Sequence, residues 1–261
     1  MSFEDQLAAR SAVDYADFLI PHLTPDAHVL DIGCGSGTIS VGLAEVAGRV
    51  IGVDLDEDEE EFSQARRYAA EHAIGNVEFR IGDVYSLEFL DERFDACLCH
   101  SMLETLDRPL DGLREIGRTL KPGGVLGVAC VEYGGLILAG PDESRLRRFY
   151  AIRERLWQIE HLADPYRGRE LRGLLISAGF EGVIATTKYV SYGTADAVRS
   201  FGLDRAEDCR DDWYASAAQR HGLASADDLV AMEEAWSRWS ESPEAYAAFA
   251  WCRATGWKPN P

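Results

Sequence analysis

The chain reads as an α/β protein built on a doubly wound, mainly parallel sheet, and three observations predict it. Short apolar runs alternate with helical patterns from residue 28 to residue 131, the rhythm of repeated strand–helix–strand units. The first three of those runs close on an acid, at Asp31, Asp54 and Asp83. After the first run, glycines alternate as Gly33-Cys34-Gly35-Ser36-Gly37, and a helical pattern starts at Thr38. That is a buried strand, a tight turn and a helix start.

The elements follow in order. Residues 3–19 place Leu7, Tyr15, Phe18 and Leu19 at loosely helical spacing before the breaks at Pro21 and Pro25. The second strand, 48–54, ends 17 residues after Gly37, the distance at which a parallel neighbour returns beside the first. Seven of the eight residues 54–61 are acidic, and the next helix begins inside this run. Carboxylates at a helix N-terminus are favoured by its free N–H groups and dipole, so most of the run reads as a solvated helix start. Residues 77–83 alternate as a third strand, and 94–100 form a fourth. An amphipathic helix over 110–120 stops at Lys121-Pro122-Gly123-Gly124, and 125–131 is a fifth strand.

Beyond residue 135 the pattern predicts a helix over 166–178 and strands over 183–191 and 248–258. Helical decorations fill about 141–164 and 194–245, the second with helices over 196–201, 205–221 and 225–239. All six tryptophans lie in this later part of the chain. They line a substrate lid or build the core of a small helical subdomain.

Composition narrows the function. A chain of 261 residues with 46% hydrophobic composition fills one domain with its decorations. A formal net charge of -19 and the lack of any Lys/Arg-rich run argue against nucleic acid as a partner. The six cysteines form no C-x-x-C pair, which weakens zinc and disulfide readings. Cys97 and Cys99 share a strand face and read as packing; no metal is expected. The N-terminus has no basic region followed by an apolar core, and no apolar run is long enough to span a bilayer. A cytoplasmic protein without membrane partners is expected.

The glycine loop needs a ligand that tolerates Asp31. A dinucleotide fingerprint wants glycine at its sixth position, where this chain has Thr38. A pyrophosphate would also meet the Asp31 carboxylate, and like charges repel. A sulfonium and an ammonium would be attracted, and S-adenosylmethionine carries both. The segment 28–40 closely resembles motif I of the class I methyltransferases that use this cofactor. The acid at Asp83 and the Leu-Lys-Pro-Gly-Gly segment before the fifth strand resemble the same family, in particular its ubiquinone-methylase-like branch. The resemblance is firm over about residues 27–135 and topological beyond.

It implies a Rossmann-like seven-stranded sheet with one antiparallel strand and a leading helix that often closes over the cofactor; plain packing is an equal reading of that helix. It implies cofactor contacts at Asp31, Gly33, Cys34, Gly35, Gly37, Asp54, Leu55, Asp83, Val84 and His100. Asp54 would take the ribose hydroxyls and Asp83 the adenine amino group. Many members carry a histidine where this chain has Thr105, so that role is not carried over.

The implied reaction is an in-line displacement at the activated methyl, with alignment and exclusion of water supplied by the protein. Candidate catalytic groups are His100, Glu104 and Tyr133, with Glu132, His161 and Tyr166 behind them. His100 leads because an imidazole titrates near neutrality, although a packed histidine is an equal reading. The Asn/Asp-Pro-Pro-Tyr/Phe signature for planar amino nitrogens is missing after the fourth strand, where His100-Ser101-Met102-Leu103 stands. A small-molecule acceptor, methylated at oxygen, nitrogen or carbon and possibly aromatic or apolar, is therefore expected; a basic protein stays open. The rivals are a protein that keeps the adenosyl pocket for another reaction or for sensing, and an NAD-dependent oxidoreductase.

Overall fold

The computed structural model describes residues 10–55 and 59–260. The acidic stretch at 56–58 and the start of the leading helix lie outside the described residues. The chain divides into two compact units. Of the described residues, the sheet unit takes 10–55, 59–130, 167–187 and 252–260, and the helical unit takes 131–166 and 188–251.

The strands are β1 (His28–Ile32), β2 (Arg49–Asp54), β3 (Val77–Ile81), β4 (Phe94–His100), β5 (Leu120–Ala139), β6 (Glu181–Tyr192) and β7 (Tyr246–Trp257). They form one sheet in the order β3-β2-β1-β4-β5-β7-β6. Strands β3, β2, β1, β4 and β5 pair in parallel. Strand β7 runs the other way. Gly123 N donates to Lys258 O and Lys258 N donates to Gly124 O, both at 2.9 Å, so the start of β5 meets the end of β7. The sheet is mixed, with one antiparallel strand.

The expected fifth strand is longer than its apolar core. Lys121-Pro122-Gly123-Gly124 reads as a breaker, yet it lies inside β5, because its two glycines pair with Lys258. The insertion shows as a register shift: Phe94 faces Leu120 while Ala96 faces Val125.

The helices of the sheet unit are α1 (Ala12–Tyr15), α2 (Thr38–Ala44), α3 (Glu59–Glu71), α4 (Pro109–Thr119) and, after α5 of the helical unit, α6 (Leu171–Ser177). Chain reversals are tied by side chains. Asn76 Nδ2 donates to the carbonyls of Ala44 and Ala47 at 2.8 and 2.9 Å, satisfying the open end of α2. Asp95 accepts from His28 N at 2.9 Å and from Lys121 Nζ at 2.7 Å, joining the starts of β1, β4 and β5. Leu30, Ile51, Cys97, Cys99 and Leu126 point into one core layer; Val29, Val50, Ala96, Leu98 and Val125 point into the other. That alternation buries both faces, as expected of parallel strands.

The helical unit holds α5 (Glu143–Ile159), α7 (Ala195–Asp208), α8 (Asp212–Arg220) and α9 (Ala226–Ser240). Its helices start on recognisable caps: Thr194 for α7, Asp211 for α8, and a Ser225/Asp228 capping box for α9. Gly202 lets α7 approach α9, since a Cβ there would sit 2.6 Å from that of Ser240. Trp236 and Trp239 are fully buried among Phe149, Tyr150, Phe201 and Tyr214. These two tryptophans build the unit's own core.

One glycine is fixed by packing. Gly37 has φ +72°, and a Cβ would lie 2.6 Å from both Ala65 Cβ and the Phe79 ring. Gly37→Ala therefore combines left-handed strain with overpacking and is expected to cost about 3 kcal/mol. Denaturant unfolding checks this.

Candidate cofactor site

The site sits where the strand order reverses, past the carboxyl ends of β1 and β4, the usual ligand crevice of an open α/β sheet. The loop after β1 is clamped to the end of β2. Gly33 N and Cys34 N donate to the Val53 carbonyl at 2.8 and 3.2 Å. Gly35 N donates to Asp54 Oδ2 at 2.7 Å, and Leu55 N to Asp54 Oδ1 at 2.8 Å. A cavity of about 280 Å³ opens here, lined by residues 33–36, Asp31, Asp54, Thr38, Ile39, His100–Met102, Thr105 and Arg10.

The three loop glycines do different things. The space beside Gly33 is taken by Met102, and that beside Gly37 by Ala65 and Phe79. Only at Gly35, with φ +47°, would a Cβ meet nothing within 4 Å. The backbone thus has open space beside it at Gly35, while at Gly33 and Gly37 protein atoms take the place of a side chain. Cys34 lines the cavity.

The two acids of the pocket differ in environment. Asp31 is 2% exposed and accepts from Ser40 Oγ at 2.6 Å. Burial pushes its carboxyl up to about 7, the Ser40 hydrogen bond opposes this, and the nearby Asp54 charge adds to it. Asp54 is half-buried and already holds two backbone N–H groups. Each of its oxygens has lone-pair capacity left for a hydroxyl donor.

The adenine side is less complete. Asp83 is exposed, with Oδ1 accepting from Tyr85 N at 2.8 Å, and the lining of the cavity does not include it. Val84 is 4% exposed within the sheet core, so its side chain is a packing group. Leu55 is 60% exposed; its contribution to the pocket is the N–H it gives to Asp54.

Of the catalytic candidates, only His100 lines the cavity. It is 5% exposed and meets Tyr15 edge-on at 5.3 Å. Burial, with the Arg10 charge, holds its pKa well below the usual imidazole value. The near-neutral base expected from its residue type is corrected: this imidazole is neutral and weakly basic. Glu104 is buried and outside the lining. Ser101 Oγ donates to its Oε1 at 3.1 Å, the Cys130 thiol lies against the carboxyl, and burial raises its pKa. Tyr133 belongs to the helical unit, where its ring packs 4.9 Å from Trp157 and 5.8 Å from Phe249. Glu132 accepts from Gly134 N at 3.0 Å, and Tyr166 donates to Glu154.

Sequence reasoning missed Arg10, Ser40, Ser101, Met102 and Thr105. Arg10 brings a cation to a cavity otherwise lined by Asp31 and Asp54. Thr105 Oγ1 is held locally, donating to Met102 O at 2.7 Å. Cys97 and Cys99 are fully buried, and among the described residues no cluster of His, Cys, Asp or Glu is placed to hold a metal. No helix of the described residues is long and apolar enough to cross a membrane.

The comparisons agree with this geometry. Residues 30–128 match a methyltransferase domain family. An uncharacterised methyltransferase of Schizosaccharomyces pombe is 31% identical over 66% of this chain and 63% of its own length. The probable methyltransferase ltbC of Aspergillus luteorubrus is 29% identical over 95% of this chain and 92% of its own. A ubiquinone biosynthesis O-methyltransferase of Xanthomonas campestris is 37% identical over 39% of this chain and 42% of its own. Among solved structures, the [4+2]-cyclase SpnF shares the fold, with a TM-score of 0.57 and 24% identity over 94% of this chain and 80% of its own. Residues 30–128 therefore carry a methyltransferase domain, and the chain is similar to class I S-adenosylmethionine-dependent methyltransferases along most of its length. S-adenosylmethionine is the cofactor of that family, and the residues present fit it: hydrogen-bond acceptors at Asp54, an open backbone at Gly35 and a buried acid at Asp31.

A pH dependence follows from Asp31. An ionised Asp31 would attract a cation placed in this cavity, so S-adenosylmethionine affinity is expected to rise with pH through about 7 and to fall again as the cofactor's own amino group loses its proton. Ser40→Ala removes a hydrogen bond that favours the ionised form, moving the midpoint of the rise to higher pH, whereas Asp31→Asn flattens the rise. Calorimetry between pH 6 and 8.5 reads both.

Proposed function

We propose that the protein transfers the methyl of S-adenosylmethionine to a small-molecule acceptor, at oxygen, nitrogen or carbon. The observation that carries this reading is the cavity beside the Gly35–Asp54 hydrogen bond, where a bare backbone and two carboxylates of different character converge. Asp54 is assigned to the ribose hydroxyls, Asp31 to the ammonium and Arg10 to the carboxylate. When bound, the cofactor supplies a methyl on positive sulfur that is already activated for displacement.

The chain's own groups bind, orient and exclude water. The depressed basicity of His100 and the raised pKa of Glu104 favour alignment and desolvation over proton abstraction by either side chain. A small acceptor is favoured by the charge of -19 and by the likeness to an enzyme of ubiquinone biosynthesis. The helical unit is assigned to acceptor recognition as lid or subdomain. Six cysteines without a disulfide are in keeping with a reducing, cytoplasmic setting.

A second reading is kept by the likeness to SpnF, a cyclase on the same fold: binding of the adenosyl group could serve another reaction. Parallel calorimetric titrations with S-adenosylmethionine, S-adenosylhomocysteine and NAD test the cofactor assignment, and both adenosyl compounds are expected to bind while NAD does not. Asp54→Ala is expected to weaken the adenosyl compounds at least tenfold with the far-UV circular dichroism of the folded chain retained. Unchanged affinity would remove Asp54 from the ribose. Release of S-adenosylhomocysteine across an acceptor panel separates the readings, since tight binding without turnover supports the second.

A further inference from the structure

The helical unit buries more polar chemistry than its packing uses. Tyr150, on α5, is 2% exposed, and its hydroxyl lies against the Arg205 guanidinium with no acceptor for its own proton. Trp236, on α9, is fully buried and its indole N–H is likewise without one. Their rings stand nearly perpendicular, 5.9 Å apart. Elsewhere this same core satisfies its aromatic donors: Tyr214 donates to Phe149 O at 3.0 Å and Trp239 to Ala139 O at 2.8 Å. A buried donor left unmet is destabilising, so two neighbouring ones point to something held against them.

A charge lies beside Tyr150. Arg205, on α7, is largely buried, with its guanidinium 5.2 Å from the Phe201 ring centroid. Its Nε lies 2.6 Å from Asp208 Oδ2, the same oxygen that accepts from Arg153 Nη1 at 2.8 Å. Two guanidinium groups therefore converge on one carboxylate oxygen. Burial works against the Arg205 charge, and the adjoining Tyr150, Asp208 and Tyr133 outweigh it. Aromatic rings surround Tyr150: Phe249 at 5.4 Å and Tyr133 at 6.0 Å, with Trp157 against Tyr133. Tyr133 and Trp157 are only half-buried, so the cluster is not sealed on their side.

We propose that Arg205, Tyr150 and Trp236 form a recognition site for the carboxylate of an aromatic methyl acceptor. A guanidinium, a hydroxyl and an indole N–H can all donate, and the indole can do nothing else, which selects an acceptor oxygen. Negative charge on that oxygen answers Arg205, and charge-assisted bonds are about twice as strong as neutral ones. The surrounding rings suit a flat partner held edge-to-face or offset. The word "acceptor" rests on the methyl-transfer reading; the anion site itself does not.

The test uses the full chain and calorimetry, with 3,4-dihydroxybenzoate and its uncharged amide, 3,4-dihydroxybenzamide, as probes. Titrations are made with and without saturating S-adenosylhomocysteine. The benzoate is expected to bind at least tenfold more tightly than the amide. Tyr150→Phe is expected to remove most of that preference with little change in melting temperature, because the deleted hydroxyl donates to no acceptor in the protein. Equal affinities, or no benzoate binding, overturn the proposal. So does a Tyr150→Phe variant that loses stability and keeps the preference, which identifies a structural water only. Failure of S-adenosylhomocysteine to bind while the benzoate preference survives counts against the methyl-transfer reading alone.

Discussion

Everything at the cofactor end depends on one contact: the loop after β1 is fastened to the end of β2. The Val53 carbonyl takes the N–H groups of Gly33 and Cys34, and the Asp54 carboxylate takes that of Gly35. Three successive backbone donors are thereby directed at one neighbouring strand end. The loop must then turn through left-handed conformations at Gly33, Gly35 and Gly37, which residues with a Cβ enter at a cost. The same clamp holds Asp54 at the mouth of the cavity and brings β2 close enough for Asp54 O to accept from Gly82 N, at 2.9 Å. Parallel pairing of β1, β2 and β3 thus fixes the positions of Asp31, Asp54 and Asp83 together.

The pocket uses burial to make two aspartates into different reagents. Asp54 keeps contact with solvent and accepts from two backbone donors. Asp31 is enclosed, with a single hydroxyl donor, and its charge is penalised. Bringing a cation to Asp31 relieves both the burial penalty and the repulsion from Asp54. The acid that most disfavours a pyrophosphate is therefore the one whose ionisation is best matched to an ammonium. Arg10 brings a positive charge to the lining of the same cavity.

Much of this was legible in the sequence, because it resides in the backbone. Alternating glycines, acids at strand ends and apolar runs leave marks that do not depend on partners. What failed were inferences about environment. His100 looked like a neutral-range base, and only its enclosure against Tyr15 and Arg10 shows otherwise. Leu-Lys-Pro-Gly-Gly looked like a stop; pairing with Lys258, more than a hundred residues away, makes it strand. Gly33, Gly35 and Gly37 are equivalent as letters, and the neighbours Met102 and Phe79 assign two of them to packing. Arg10 carried no sequence signal, since it is one basic residue in an unremarkable leading segment.

The helical unit shows why acceptor chemistry is harder to read than cofactor chemistry. A binding group on an amphipathic helix occupies the same positions, at the same period, as a packing group. Tyr150 and Tyr214 are both aromatic residues on buried helix faces, and nothing in spacing or composition separates them. The separation lies in where each hydroxyl ends: Tyr214 on a backbone carbonyl, Tyr150 beside Arg205 with no acceptor of its own. The same holds for Trp239 and Trp236 on consecutive turns of one helix, the first satisfied by Ala139 and the second not. A core that pairs one member of each couple and leaves the other open has spent stability on the open pair. Tyr150 and Trp236 lie within one ring contact of each other, and Tyr150 lies beside the buried Arg205 guanidinium. That coincidence is what a polar ligand site looks like when it is built into a core.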